Sequence, residues 1–285
     1  MKKVLTIAGS DPSGGAGIQA DIKTITVHGL YASAVITSLT AQNTTGVYAI
    51  SDVEPDFIAA QLDCVFSDIF PDAVKIGMVS GEEILEVIIH KLKQYRPGNI
   101  VIDPVMVSTS GRELLSSRAL KLMEAKLLPM GTLITPNIPE AEILTGLSVK
   151  TEEDMKKAAK ELALRTGAAV LVKGGHRKSD AADILFRDGC FTRFSSPRID
   201  NPNTHGTGCT LSSAAACHLA EGKSPEESIK RAKEYLNGAL KAKLDLGKGN
   251  GPLNHMYAVK QEGIKEEVKV DMTEVIETAP PSGVS

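Results

Sequence analysis

VLTIAGSDPSGGAGIQAD, residues 4–21, runs from an apolar stretch into a glycine- and serine-rich turn and then into a helical pattern. Residues 4–8 have the unbroken hydrophobicity of a strand buried on both faces. The turn interrupts it, and residues 15–28 take up a helix period. The same alternation continues down the chain. Strand signals at 34–39, 47–53, 73–76, 100–102, 132–134 and 169–172 are interleaved with helical ones from Pro55, at 82–94, at 115–127, from Pro139 and at 151–165. Pro55 sits in a first helical turn, where its missing N–H costs nothing. Residues 184–186 and 190–194 flank Arg187-Asp188-Gly189 and read as a hairpin with an Asp-Gly turn. Helices at 207–221 and 225–243 follow. Continuous apolar strands between helices predict an α/β fold, a central, mostly parallel sheet with helices on both faces. In such sheets ligands bind beyond the carboxyl ends of the strands. Gly9-Ser10-Asp11, Gln42-Asn43, Gly77-Met78, Asp103, Asn137 and Lys173-Gly174-Gly175 each follow a strand signal, so one crevice is expected to gather them.

The chain has 285 residues, enough to bury roughly 75% of its unfolded surface without disulfides or a structural metal. We expect one domain over residues 1–257. Residues 258–285 turn charged and then Pro-rich, with little periodicity, and are expected to form a poorly ordered tail. A net charge of -3, with no long basic block, argues against nucleic acid as a partner. The four cysteines (Cys64, Cys190, Cys209 and Cys217) form no CxxC pair and show no zinc-ligand spacing, which fits a reducing cytoplasm. The N-terminal apolar run ends at Gly9, too soon for a signal peptide, and no stretch approaches the ~20 apolar residues of a membrane span.

NTHGTGCT, residues 203–210, carries the chemistry. Glycine lets backbone N–H groups converge on a ligand, and the small-residue helix that follows offers unpaired donors and partial positive charge at its N-terminus. Such an anion site suits phosphoryl transfer, whose transition state spreads negative charge over three oxygens. A small-molecule kinase is therefore the leading reading. Gly15-x-Gly17-x-x-Ala20 meets a loose dinucleotide fingerprint, but residues 35–40, Val-Ile-Thr-Ser-Leu-Thr, lack the carboxylate that would hold a ribose. No Walker A element occurs.

AGSDPSGGAGIQAD, DPVM, TPNIPEAE, LVKGGH and HGTGCT occur in that order. Together they resemble the hydroxymethylpyrimidine/phosphomethylpyrimidine kinases of thiamin biosynthesis, in the ribokinase superfamily, over residues 4–244. The resemblance implies a ribokinase-like fold and ATP with Mg²⁺. It also implies phosphorylation of a hydroxymethylpyrimidine and then of its monophosphate, and a homodimer.

Each candidate residue has its own chemistry. Lys173 follows a strand and precedes two glycines, so its ammonium could meet ATP phosphates. Asn137 and Glu140, three apart at a helix start, could cap that helix or serve Mg²⁺ and phosphate; the resemblance implies the second use. Asp103 is a second candidate for organising metal-bound water. Gly206, Thr207 and Gly208 supply the anion hole. Cys209 sits at a helix N-terminus, where a thiol can have its pKa lowered. Many ribokinase-like enzymes carry aspartate there as base, so Cys209 could take the acceptor's proton or merely contact the substrate. The resemblance also places Asp21, Gln42 and Met78 in the acceptor pocket, with Gly9 and Val105 nearby. Gln42 offers a donor and an acceptor to an aminopyrimidine, and Met78 an adaptable wall. Residues 106–111 read as a flap over the acceptor. Related pyridoxal kinases, the nearest rival, carry a lid cysteine that this chain lacks. A dinucleotide-dependent oxidoreductase and a non-catalytic pyrimidine sensor are the readings outside the kinases.

Overall fold

The computed structural model describes residues 1–106, 115–175 and 182–259. Nine strands form one sheet, β1 (Lys3–Ser10), β2 (Tyr31–Asn43), β3 (Gly46–Asp52), β4 (Ala73–Ile76), β5 (Ile100–Ile102), β6 (Leu133–Ile134), β7 (Ala169–Val172), β8 (Asp183–Arg187) and β9 (Cys190–Phe194). Their order is β3-β2-β1-β4-β5-β6-β7-β8-β9. The six strands from β2 to β7 in that order pair in parallel, while β3, β8 and β9 join antiparallel at the two edges. The strand order reverses about β1, which neighbours both β2 and β4, and this switch point opens a crevice at the strand carboxyl ends.

Alternate residues of the central strands face opposite layers. Leu5, Ile7, Ile100 and Ile102 join one apolar cluster with α2 (Pro55–Asp68), α3 (Glu82–Tyr95) and α6 (Glu152–Thr166). Val4 and Val101 join the other, with α1 (Gly17–Val27), α7 (Thr207–Ala220) and α8 (Pro225–Lys241). Both faces are thus covered, which is why these strands read as continuous apolar runs. The hairpin turns as expected: Asp188 and Gly189 both have positive φ, 48° and 82°, as a type I′ turn requires.

The expected helix over 115–127 is shorter and broken. It forms α4 (Ser117–Leu122), a π-turn over Met123–Leu127 and a 3₁₀ turn over Leu128–Met130. Pro129 has no N–H to return to the preceding turn, so the α-ladder cannot run through it. The remaining helix is α5 (Ile138–Thr145). Among the described residues, no helix is long and apolar enough to cross a membrane. Residues 107–111 of the expected flap, and all of the expected tail after Val259, lie outside the described residues.

Candidate active site

A cavity of about 800 Å³ occupies the switch-point crevice. Its first wall is the end of β1. Gly9 is packed so closely that a Cβ there would lie 2.6 Å from Met78 Cε. The Gly-rich loop beyond it folds onto its own carboxylate. Asp11, 2% exposed, accepts hydrogen bonds from Ser13 N, Ser13 Oγ, Gly15 N and Ala16 N at 2.7–3.1 Å. Those amides are consumed within the loop.

The second wall is the N-terminus of α7. Gly206 caps it with φ 82°, and a Cβ there would sit 1.8 Å from Gly15 O, so only glycine lets this turn press against the loop. Gly208 and Cys209, in the first turn, line the cavity, and their N–H groups have no intrahelical acceptor. Below them lies an ion pair. Lys173 Nζ donates to Asp103 Oδ1 at 2.7 Å, and Thr135 Oγ1 donates to the same oxygen at 3.1 Å. A Cβ on Gly208 would lie 3.3 Å from Asp103 Oδ2 and 3.4 Å from Lys173 Nζ. Burial alone would raise the Asp103 pKa, but Lys173 and then Lys75 outweigh it and hold the group ionised. Lys173 is fixed in turn by its strand end: its N–H donates to Pro136 O at 2.8 Å, and Gly174 N donates to Asp183 Oδ1 at 2.9 Å.

Asn137 and Glu140 make the capping box. Asn137 Oδ1 accepts from Glu140 N and Glu140 Oε2 accepts from Asn137 N, both at 2.8 Å. Glu140 is only 5% exposed. Burial pushes its pKa up to about 7, with Lys173 working against the rise and Asp103 adding to it. Among the described residues no group of three or more His, Cys, Asp or Glu side chains is placed to hold a metal. Asp103 and Glu140 nevertheless form a buried pair of carboxylates, with Lys173 the ammonium acting on both.

Two readings need correction. Cys209 does not have a lowered pKa: burial pushes the thiol up to about 11, against the pull of Lys75 and with Asp21 and Asp103 adding to the rise. Asp21 does not line the cavity. It is fully buried behind it, accepting from Lys75 Nζ at 2.8 and 3.0 Å, Thr6 Oγ1 at 2.6 Å and Ser213 Oγ at 2.7 Å. A carboxylate this far from water is held by an equally buried ammonium, and it ties α1 to β4 and α7 instead of meeting a ligand.

The other expected residues line the one cavity: Gly9, Gln42, Met78, Asp103, Val105, Asn137, Glu140, Lys173 and Gly206 to Cys209. Asp11, expected in the crevice, lines it as well, and so does His205, to which sequence reasoning gave no role. His205 Nε2 lies 2.8 Å from Asp11 Oδ2 and 3.3 Å from Gln42 Nε2. The available signal was the position of His205, directly before Gly206 in the motif that was singled out.

The sequence model of the phosphomethylpyrimidine kinase family matches residues 11–254. The chain is 46% identical to the hydroxymethylpyrimidine/phosphomethylpyrimidine kinase of Salmonella typhimurium, over 89% of this chain and 97% of that one. It is 51% identical to the thiamine biosynthesis bifunctional protein ThiED of Geobacter sulfurreducens; 90% of this chain aligns, but it spans only 53% of that longer protein. The pyridoxal kinase of Staphylococcus aureus, solved with AMP-PCP and pyridoxal, superposes with a TM-score of 0.84 at 34% identity, covering 91% of this chain and 95% of that one.

Proposed function

The chain belongs to the phosphomethylpyrimidine kinase family, with a ribokinase-like fold, and we propose that it works in thiamine biosynthesis by phosphorylating a pyrimidine twice. The γ-phosphoryl group of ATP passes to the hydroxymethyl oxygen of 4-amino-5-hydroxymethyl-2-methylpyrimidine, and a second transfer converts the monophosphate to the pyrophosphate. One observation carries this reading. The first-turn amides of α7 and the Lys173–Asp103 pair share a cavity with Gln42 and Met78, so a phosphoryl site adjoins a site shaped for a flat, hydrogen-bonding ring.

In this reading Met78 packs on the ring and Gln42 addresses its nitrogens. Asn137 and Lys173 hold the nucleotide phosphates, and the amides of residues 206–209 receive charge as it develops on the transferring group. Asp103 keeps the Lys173 ammonium pointed at that group until phosphate oxygens compete for it. The site fits Mg²⁺. Asp103 and Glu140 are two buried carboxyl groups acted on by the same ammonium, Lys173, and Mg²⁺ is usually bound through one or two carboxylates plus substrate phosphates. Asp103 and Glu140 would hold it, and it would neutralise phosphate charge. With its pKa near 11, Cys209 meets the acceptor as a neutral thiol. Phosphoryl transfer is loose, with little covalent chemistry left to the protein, so water suffices as proton acceptor and the thiol serves to position the hydroxyl. The proposal extends to a cytoplasmic homodimer.

Incubation with Mg-ATP and the hydroxymethylpyrimidine, followed by ³¹P NMR, tests the reading. We expect a monoester signal that gives way to a pyrophosphate pair. A monoester that never converts would remove the second step, and no new phosphorus signal would refute the whole.

A further inference from the structure

The hydrogen bonds around Gln42 do not close if its amide nitrogen faces His205. That nitrogen lies 3.3 Å from His205 Nε2, and the same ring nitrogen lies 2.8 Å from Asp11 Oδ2. Burial alone would raise the Asp11 pKa, but hydrogen bonds from His205, Ser13 and Ala16 bring it down to about 2, so Asp11 is a carboxylate and can only accept. His205 Nε2 must therefore carry a proton, whether the ring is neutral or cationic. A protonated nitrogen cannot accept from an amide N–H.

A second conflict is independent of the first. The Thr40 hydroxyl has one proton but faces two acceptors, Ser10 O at 2.9 Å and Gln42 Oε1 at 3.2 Å. Exchanging the positions of the amide oxygen and nitrogen of Gln42 removes both conflicts at once. The oxygen then accepts from His205 Nε2–H, the NH₂ donates to Thr40 Oγ1, and the Thr40 proton stays on Ser10 O. The two amide ends are close in size, so packing is unchanged.

We infer that Asp11 and His205 are positioning residues: they lock the Gln42 carboxamide with its oxygen toward His205 and its nitrogen toward Thr40. This rests on the placing of Gln42 in the acceptor pocket made above. With one lone pair given to His205 and one N–H to Thr40, Gln42 retains one acceptor and one donor. That remainder matches a ring edge on which an amino group adjoins a ring nitrogen, as in a 4-aminopyrimidine. The polarity of the pair, and so the orientation of the ring and its hydroxymethyl group, is set by a histidine proton that Asp11 holds in place. Asp11 belongs to the loop after β1 and His205 to the approach to α7, so neither touches the transferred group in this account.

Two measurements test it. The ¹⁵N spectrum of the His205 ring should show a protonated Nε2, and an Nδ1–H tautomer with a bare Nε2 would overturn the inference. In kinetics, His205→Leu removes the proton donor; we expect KM for the pyrimidine to rise about tenfold, the worth of one hydrogen bond, with kcat and the KM for ATP little changed. His205→Gln returns an N–H and should recover most of the loss. An unchanged pyrimidine KM in His205→Leu, or a fall in kcat alone, would refute the positioning role. If the wild-type protein phosphorylates no pyrimidine, the functional reading fails while the nitrogen spectrum still decides the hydrogen-bond assignment.

Discussion

Placing a methyl group on Gly206 isolates the contact that sets the anion hole. Two costs arise in Gly206→Ala. The backbone has φ 82°, where an L side chain loses about 1–2 kcal/mol. In addition, the new Cβ would lie 1.8 Å from Gly15 O and 2.9 Å from Gly15 C, both backbone atoms. Cβ atoms do not approach within 3.0 Å, so the start of α7 and the β1 loop must part by about an ångström. A misplacement of ~1 Å at a catalytic group costs on the order of 10²-fold, close to 3 kcal/mol of transition-state stabilisation. Gly222→Ala supplies the control: it has the same φ of 82°, and nothing lies within 4 Å of its added Cβ. In urea melts Gly222→Ala should lose about 1–2 kcal/mol, and Gly206→Ala more, since it adds the clash with Gly15 to the same φ cost. Only Gly206→Ala should lose activity, measured as kcat/KM by coupled ADP release. A Gly206→Ala enzyme within a few-fold of Gly222→Ala would show that the contact between loop and helix does not position the amides.

Three further outcomes follow from the buried charges. A thiolate base at Cys209 with a pKa of about 11 would make kcat climb roughly tenfold per pH unit; we expect a nearly flat kcat between about pH 7 and 9, with Cys209→Ala lowering turnover while ATP affinity holds. The pKa of Glu140 is raised from the ordinary 4.5 to about 7, so between those values the folded chain binds a proton that the unfolded chain does not, and stability falls as pH rises through that window. Glu140→Gln should therefore stabilise the free protein by up to ~3 kcal/mol near pH 8 and by little near pH 4.5, while weakening Mg-ATP binding; equal gains at both pH values in urea melts would contradict the assigned cause. Lys75→Met strands the Asp21 carboxylate in the core and should cost about 3–5 kcal/mol in unfolding free energy, most of it recovered on adding Asp21→Leu. A double variant as unstable as the single one would count against the pairing.

Most of the fold was legible because each strand–turn–helix unit announces itself locally. The apolar run at 4–8, the glycines before α1 and the Asp188-Gly189 turn all act within a few residues. The motifs that end strands also reach the expected crevice, since alternation of strands and helices fixes which sheet edge they share. What sequence hid is tertiary. Asp21 is expected in the acceptor pocket, and the Lys75 and Ser213 that close around it instead lie 54 and 192 residues away in sequence. Cys209 has the local setting of an activated thiol, yet burial among the Asp21 and Asp103 charges reverses the shift. His205 stands beside a recognised motif, but its partner Asp11 is 194 residues distant, and without that carboxylate the ring has no assignable proton. Pair energies of this kind depend on which elements meet, and period and turn chemistry do not report that.

The most direct test of the central claim is the specificity constant for ADP release with Mg-ATP, compared across hydroxymethylpyrimidine, its monophosphate, pyridoxine, pyridoxal and no acceptor. We predict turnover with both pyrimidines, each favoured over either B6 vitamer, and little without acceptor. A preference for pyridoxal or pyridoxine, or no turnover with any acceptor, would contradict it.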